Sequence, residues 1–568
     1  MLDYRAPRDD IAFILQHHIG AEALATVDAC AALDTDLMSA IVDEAGRFAE
    51  QVLAPLNPVG DQQGCQWQDG TVRTPNGWPA AYDQFRSAGW TGLCLPEALG
   101  GQALPKVLAM PVAECWQSAN LAFSMIQPLT EGAVEALLAS GEQTLIDRYG
   151  PLLVSGEWTA TMALTEPAAG SDLGLLTTRA IPDADGGYRL TGNKLYITFG
   201  QHDMTERTLH LVLARLPDAP AGSQGISLFA VPNIRPGDGI DQPNGVTCTG
   251  IEHKMGLHGS PTCTLQFDQA WGELVGPANK GLSIMFVMMN EARLSVGLQG
   301  TAIAERAYQA ALGWANERRQ GKHPRTGESP TALIEHPDIR RLLLRMRSQI
   351  LASRLLGYYL GFRVDQARQV EHPAQQEARA ELELLTPVFK AWSTEYANRL
   401  TGDAIQIFGG MGFIEETGVA QFYRDLKIST IYEGTTGIQA QDLLFRKIRK
   451  DNGATFHHWL DRVAEQSSLA PYVQALRDTS GRLLDHQALT YLHAAAVPLL
   501  EATGILAGAW QLCQAADKAQ AASVDAGYRQ NVTALRDFYH AHWLPELHLH
   551  LARIQQADVG LVDYDFQQ

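Results

Sequence analysis

Basic side chains are in short supply in this sequence. Lys plus Arg number 44 against 63 Asp plus Glu, a formal charge of −19 that repels phosphate backbones and anionic lipid at long range and disfavours a general nucleic-acid or membrane-surface role. A small anionic ligand is still admitted, because a local cation cluster or a helix N-terminus binds phosphate within an acidic protein. Long apolar runs are missing too: the longest aliphatic and Met stretch, near residues 282–289, falls far short of the ~18 residues a membrane span requires. Cys30, Cys65, Cys94, Cys115, Cys248, Cys263 and Cys513 are scattered, with no CxxC among them, which reads as reduced thiols. A Walker loop, zinc-ligand spacing and a nucleophile elbow are all absent, so the commonest short motifs leave the chemistry open. The opening MLDYRAPRDDIAFILQHHIG carries acidic residues where a secretory signal is basic, and the expectation is a cytoplasmic protein.

What is present is a well-patterned globular chain. At 568 residues, 46% hydrophobic and 19% charged, it exceeds a single core, which stops growing near ~250–300 residues, and three or four domains are expected. Residues 1–158 contain Ala-rich stretches with helical spacing, such as TDLMSAIVDEAGRFAEQVLAPL and VEALLASGEQTLIDRYG, interrupted by the turn-rich GDQQGCQWQDGTVRTPNG. From 159 to 278 the pattern changes to short β-branched and aromatic runs between Gly, Pro, Asn and Asp, as in YRLTGNKLYIT, LHLVLARLP, GISLFAVPN and CTLQFDQ, which predicts a compact β-domain. Helical spacing returns over 279–450, where HPDIRRLLLRMRSQILASRLLGYYLGFRVDQA is long enough for a major bundle helix. Residues 451–568 read as a further helical domain with an acidic excess and no basic arm. The fold class is multidomain α+β.

Three constellations could carry chemistry. In TEPAAGSD, residues 165–172, Gly170 lets backbone amides approach an acceptor while Thr165 and Ser171 offer hydroxyls; an ordinary turn uses the same residues. GNKLYITFG, residues 192–200, places Tyr196 and Thr198 on one strand face and Ile197 on the other, an aromatic plane beside a hydroxyl that would suit a flavin ring, or a plain half-buried strand. QIFGGMGF at 406–413 and RDLKISTIYEGTTGIQAQDL at 424–443 form the third. There Glu433 follows apolar Ile431-Tyr432 and precedes Gly434, and a carboxylate desolvated in such a loop acquires the raised pKa of a general base. The alternative is a helix-entry Glu facing the positive end of a helix.

Together and in this order, these segments resemble the acyl-CoA dehydrogenase family over about residues 40–450, in a long form with an extra C-terminal helical domain. The resemblance implies an N-terminal helical domain, a β-barrel, a four-helix bundle and the added helical domain, with FAD as cofactor. Met162, Leu164, Thr165, Gly170, Ser171, Tyr196, Ile197 and Thr198 match the family's flavin contacts. Arg318, Gln406 and Gly410 would reach a neighbouring subunit's cofactor, Thr435 would sit near its phosphates or adenosine, and a shared site implies a homo-oligomer, with a dimer favoured. Ser171, Asn290, Arg293 and Gly434 match substrate contacts. Glu433 would remove the α-proton of an acyl-CoA, giving a trans-2-enoyl-CoA and reduced FAD that passes electrons to an electron-transferring flavoprotein. The acyl group is either a short thioether-bearing chain or a straight one. An acyl-CoA oxidase, and more remotely a flavin-containing nucleic-acid binder, are the alternatives.

Some relatives carry the base on another helix, at the position of Ala292 here, and alanine cannot abstract a proton; Glu291 is one residue away, turned by ~100° on a helix. The family's Arg-x-x-Phe-Gly pattern is replaced by RRQGK at 318–322, shorter and without the aromatic. Met285, Phe286, Met288 and Met289 could wall an acyl pocket or form bundle core. Arg340, Arg341, Arg345 and Arg347 read as a solvated helix face, and His540, His542, His548 and His550 as polar surface with no metal site.

Overall fold

A computed structural model describes residues 3–31, 33–235, 242–370, 372–521, 523–557, 560 and 564–567. The chain parts into two compact units, one of Met1–Arg47, Pro105–Ser118 and Arg293–Gln568, the other of Phe48–Leu104 and Ala119–Ala292.

The second unit is built on a seven-stranded mixed sheet. Its strands are β1 (Trp158–Ala163), β2 (Arg179–Pro182), β3 (Tyr188–Thr198), β4 (Arg207–Arg215), β5 (Ile226–Pro232), β6 (Val246–Ile251) and β7 (Thr262–Val275). The order is β6-β7-β3-β2-β4-β1, and β5 pairs with both β7 and β4. β1 and β2 run parallel to β4; the other pairings are antiparallel. All seven residues of β5 are buried, which explains its continuous apolar run in place of alternation. The VEALLASGEQTLIDRYG segment folds as two helices, Ile126–Ser140 and Gln143–Val154, separated at Gly141, whose φ of 71° favours a residue without Cβ. The turn-rich interruption contains a hairpin, Gln66–Gln68 with Thr71–Arg73.

The register between β7 and β3 slips: Cys263 faces Ile197, but Leu265 faces Lys194. Three steps on β3 match two on β7, a bulge that puts Tyr196 at φ 60°. Strict alternation therefore fails here. Lys194 and Ile197 are both buried although three apart, and Tyr196 stands 60% exposed.

The first unit is helical. Its long elements are α1 (Lys106–Ala119), α2 (Gly281–Glu317, of which residues from 293 onward belong to this unit), α3 (Pro337–Arg368), α4 (Gln375–Phe408) and, beyond the short α5 (Thr436–Gln441), α6 (Leu489–Lys518). α3 begins with Pro337 in its first turn, where a missing N–H costs nothing, and α4 stops at Gly409, φ 63°. α6 is long and apolar enough to cross a membrane by length and composition, with mean hydropathy 1.4 over its best window, yet 78% of that window is buried inside the protein. Small residues at Gly504 and Gly508 let it lie against Trp392 of α4.

Two surface expectations are corrected here. Arg340 and Arg341 are exposed, but Arg345 stacks on Trp543 with its guanidinium carbon 4.7 Å from the ring centre, and Arg347 bonds Asp10 at 2.7 Å. The seven-residue spacing puts Arg347 on the same helix face as Arg354, which is fully buried and bonds Glu114, Glu305 and Asp10. Nor is the histidine set uniformly surface: His542 and His548 are exposed, His540 lies 3.3 Å from the Cys513 sulfur, and His550 is buried with Nδ1 3.1 Å from Glu501. Helical periodicity carries His550 inward beside Leu547, Leu551 and Ile554. Met285 and Met288 are core, packed with Met289 at its edge.

Candidate active site

Glu433 sits in the turn between Ile431 and Thr435, where helical geometry breaks off before α5. Its φ is 55° and that of Gly434 is 91°, two successive left-handed residues of which only the glycine is conformationally at ease. Thr435 closes the turn by accepting the Ile438 N–H on its hydroxyl at 3.3 Å, as the N-cap of α5. Two buried side chains grip the turn's carbonyls. Lys390 Nζ donates to Gly434 O at 2.8 Å, and Gln439 Nε2 donates to Glu433 O at 2.9 Å and Gly434 O at 3.2 Å. Among the described residues no backbone carbonyl accepts the Glu433 N–H.

Glu433 itself is half-buried, beside the exposed Ile431. Burial pushes the Glu433 carboxyl above its ordinary range, while the Arg293 and Lys390 cations pull it partly back. Arg293 is itself 6% exposed and paired with Asp442 at 2.9 Å. Burial draws Lys390 down to about 8, against the opposing attraction of Glu433. The Tyr432 hydroxyl donates to Gln299, so the residue preceding the carboxylate is anchored as well.

A second cluster lies in the sheet-bearing unit. Leu195 N–H bonds Thr165 O at 2.8 Å, joining the TEPAAGSD loop to β3. Beneath it, Lys194 Nζ donates to Glu166 at 2.9 Å and to Leu164 O at 2.9 Å. Glu166 also accepts both the amides and the hydroxyls of Thr177 and Thr178; against the effect of burial, Lys194 and these donors hold its carboxyl down at about 2. Above this anchor Gly170 and Ser171 are exposed, Met162, Leu164, Thr165 and Thr198 half-buried, and the Tyr196 ring open to solvent. A Cβ added at Gly170 would meet nothing within 4 Å. The result is an aromatic face with neighbouring hydroxyls and open space at Gly170, above a buried ion pair.

The structure thus gathers Glu433, Gly434 and Arg293 in one unit, and residues 162–171 with 196–198 in the other. Ile197 turns its side chain into the sheet core. Asn290 is exposed, as are Arg318, Gln406 and Gly410, while Thr435 serves as a cap. Lys390, Gln439, Asp442, Glu166 and Lys194 escaped sequence reasoning. The available signal was opposite charges in the two candidate flavin segments (Glu166, Lys194).

One unit thus offers a carboxylate held in a left-handed turn, and the other an aromatic, hydroxyl-edged rim on its sheet. The chain belongs to the acyl-CoA dehydrogenase family, whose members are FAD-dependent oxidoreductases that pass electrons to an electron-transferring flavoprotein. Residues 35–157, 161–270 and 279–446 match its N-terminal, middle and C-terminal domains, and 448–565 match the domain described as acetyl-CoA dehydrogenase C-terminal like. The chain is 41% identical to the 3-methylmercaptopropionyl-CoA dehydrogenase of Ruegeria pomeroyi over 99% of both chains. It is 31% identical to the broad-specificity linear acyl-CoA dehydrogenase FadE5 of Mycobacterium tuberculosis over 100% of this chain and 99% of that one. In fold it is similar to Caenorhabditis elegans ACDH-11, solved in complex with C11-CoA, with TM-score 0.79 and 19% identity over 100% of this chain and 96% of that one.

Proposed function

We propose that Glu433 is the base that removes the α-proton of an acyl-CoA thioester, and that the favoured acyl group is the short thioether chain of 3-methylmercaptopropionyl-CoA. The observation that carries the first part is a carboxylate desolvated in a gripped left-handed turn; the second rests on the full-length similarity to the Ruegeria enzyme. A straight-chain acyl-CoA is the second substrate reading, supported by the likeness to the linear acyl-CoA enzyme. The unspent Glu433 N–H is the donor for the thioester oxygen, stabilising enolate charge as the α-proton leaves for the side chain of the same residue. FAD, when bound, supplies the acceptor for the hydride that departs from the β-carbon. Ala292 offers no competing base, which favours Glu433 in that role.

The residues present fit the cofactor. Tyr196 presents its ring to solvent, Thr165, Ser171 and Thr198 provide hydroxyls, and the open approach at Gly170 admits a bulky ligand to the backbone. We read Met162, Leu164, Thr165, Gly170, Ser171, Tyr196, Ile197 and Thr198 as its holders, Ile197 through its main chain, with Arg318, Gln406, Gly410 and Thr435 reaching it from a partner copy or the phosphate side. Ser171, Asn290, Arg293 and Gly434 are the matching substrate contacts. The closed pairing circuit β7-β3-β2-β4-β5 supports the barrel reading of this sheet. Seven scattered cysteines with no CxxC among them support a cytoplasmic reading.

Glu433→Gln tests the base. The amide is nearly isosteric but cannot take the α-proton, so anaerobic flavin bleaching on mixing with acyl-CoA should fall by at least ~10²-fold while FAD and thioester still bind. Glu291→Gln, the control, should bleach normally. Full-rate bleaching by the Glu433 variant would refute the assignment. A panel of thioesters ranked by kcat/KM decides the acyl group.

A further inference from the structure

We propose that Lys390 is a positioning residue for the Glu433 carboxylate: from α4 its ammonium clasps the Gly434 carbonyl, fixing the left-handed turn from which Glu433 projects and adding a cation beside it. This rests on Glu433 being the base.

Three observations point the same way. Lys390 is 0% exposed, and a lysine so deep remains charged only where it has compensating partners. Its hydrogen bond goes to a main-chain carbonyl, at 2.8 Å, so it acts on the path of the backbone rather than as half of a side-chain ion pair. The carbonyl belongs to the residue directly after Glu433, within a turn whose left-handed non-glycine geometry persists only where its surroundings over-determine it. Gln439, also 0% exposed, holds the carbonyls of 433 and 434 from α5. The turn is thus pinned from two helices at once.

The charged groups facing the carboxylate are few. Arg293 comes from α2 and is already paired with Asp442. Lys390 comes from α4, with Glu395 one turn further on the same helix accepting the Thr436 hydroxyl at 2.6 Å. The neighbouring Tyr432 hydroxyl, itself pushed up by burial, is committed to Gln299. Both cations favour the ionised carboxylate, so removal of Lys390 raises the Glu433 pKa. The base is active as the carboxylate, and the acid limb of its rate profile must then move to higher pH.

The test is the pH profile of anaerobic flavin bleaching by FAD-loaded enzyme with butyryl-CoA, or whichever thioester of the panel bleaches fastest, alongside FAD content and thermal melting. Lys390→Met should keep FAD, shift the acid limb upward and lower the plateau rate by about tenfold or more, since small misplacements of a reacting group carry penalties of that order. Lys390→Arg should restore the limb's position. Gln439→Leu, which removes neutral donors only, should lower the plateau and leave the limb in place. A folded, flavin-loaded methionine variant with wild-type limb and plateau overturns the proposal. If the methionine variant does not fold, Lys390→Gln is read in the same way, and a folded, flavin-loaded glutamine variant with wild-type limb and plateau equally overturns the proposal. Glu433→Gln in the same series keeps the two claims apart, because normal bleaching there sinks the base assignment whatever Lys390 does.

Discussion

The carboxyl of Glu433 is held above its unfolded range by burial, and this has a thermodynamic sign. A raised folded pKa means that the contribution to stability is fully present below the unfolded pKa and is lost as pH rises through the folded pKa. Above the ordinary carboxylate range this group therefore costs the fold stability. Glu433→Gln should melt higher than wild type at pH 7 to 8, and the gap should close below about pH 4, near the model-peptide pKa of glutamate; melting curves at both pH values check this. A gap that widens in acid would contradict the desolvation argument. The turn at Glu433 was legible in the sequence because an apolar step and a glycine flank it. Lys390 was not, because FKAWSTEY shows only a lone lysine in a helical pattern, the usual mark of a solvated position. That its ammonium turns inward is decided by α5 arriving on that side of α4, which is a tertiary fact.

At the scale of elements, the Glu166–Lys194 pair joins two segments that sequence reading recognised separately. Both side chains are almost wholly buried, at 3% and 0% exposure, so removing one charge leaves the other unpaired, which typically costs about 3–5 kcal/mol. Glu166→Gln should lose stability on that scale by chemical denaturation, and release FAD because the loop bearing Thr165 and Ser171 comes away from β3. Joint replacement, Glu166→Leu with Lys194→Met, should recover much of the stability, and a double variant no better than the single one would speak against the pair as the source. Its pH dependence is also fixed: a carboxyl depressed to about 2 contributes stability above its unfolded pKa of about 4.5 and loses it as pH falls through about 2. The strand itself was predictable residue for residue, since YRLTGNKLYIT is β3. The bulge was not. Alternation assumes a constant register with β7, and the slip between Lys194 and Ile197 is set by the partner strand.

For the whole molecule, the exposed turn after α4 bears Met411, Phe413 and Ile414 at 46%, 88% and 44% exposure beside Gln406 and Gly410. Apolar groups clustered in this way commonly mark an association surface. We expect a homodimer in solution, and Phe413→Asp should shift it toward monomer and loosen FAD, as light scattering and flavin release would show; a monomer that keeps its flavin and activity would refute a shared site. The helical C-terminal segment was legible from its period, whereas the depth of α6 within the unit was not, because apolar periodicity does not say what covers it.

That depth has a consequence in time. α3 and α4 leave the ribosome before the helix that covers them, and about 110 residues separate the end of α4 from the end of α6. At ~5–20 residues per second the uncovered apolar faces wait on the order of 5 to 20 seconds during each round of synthesis. The chain is thus most vulnerable to aggregation late in its birth, and its yield in a cell should depend on holdase chaperones more than its final stability would suggest.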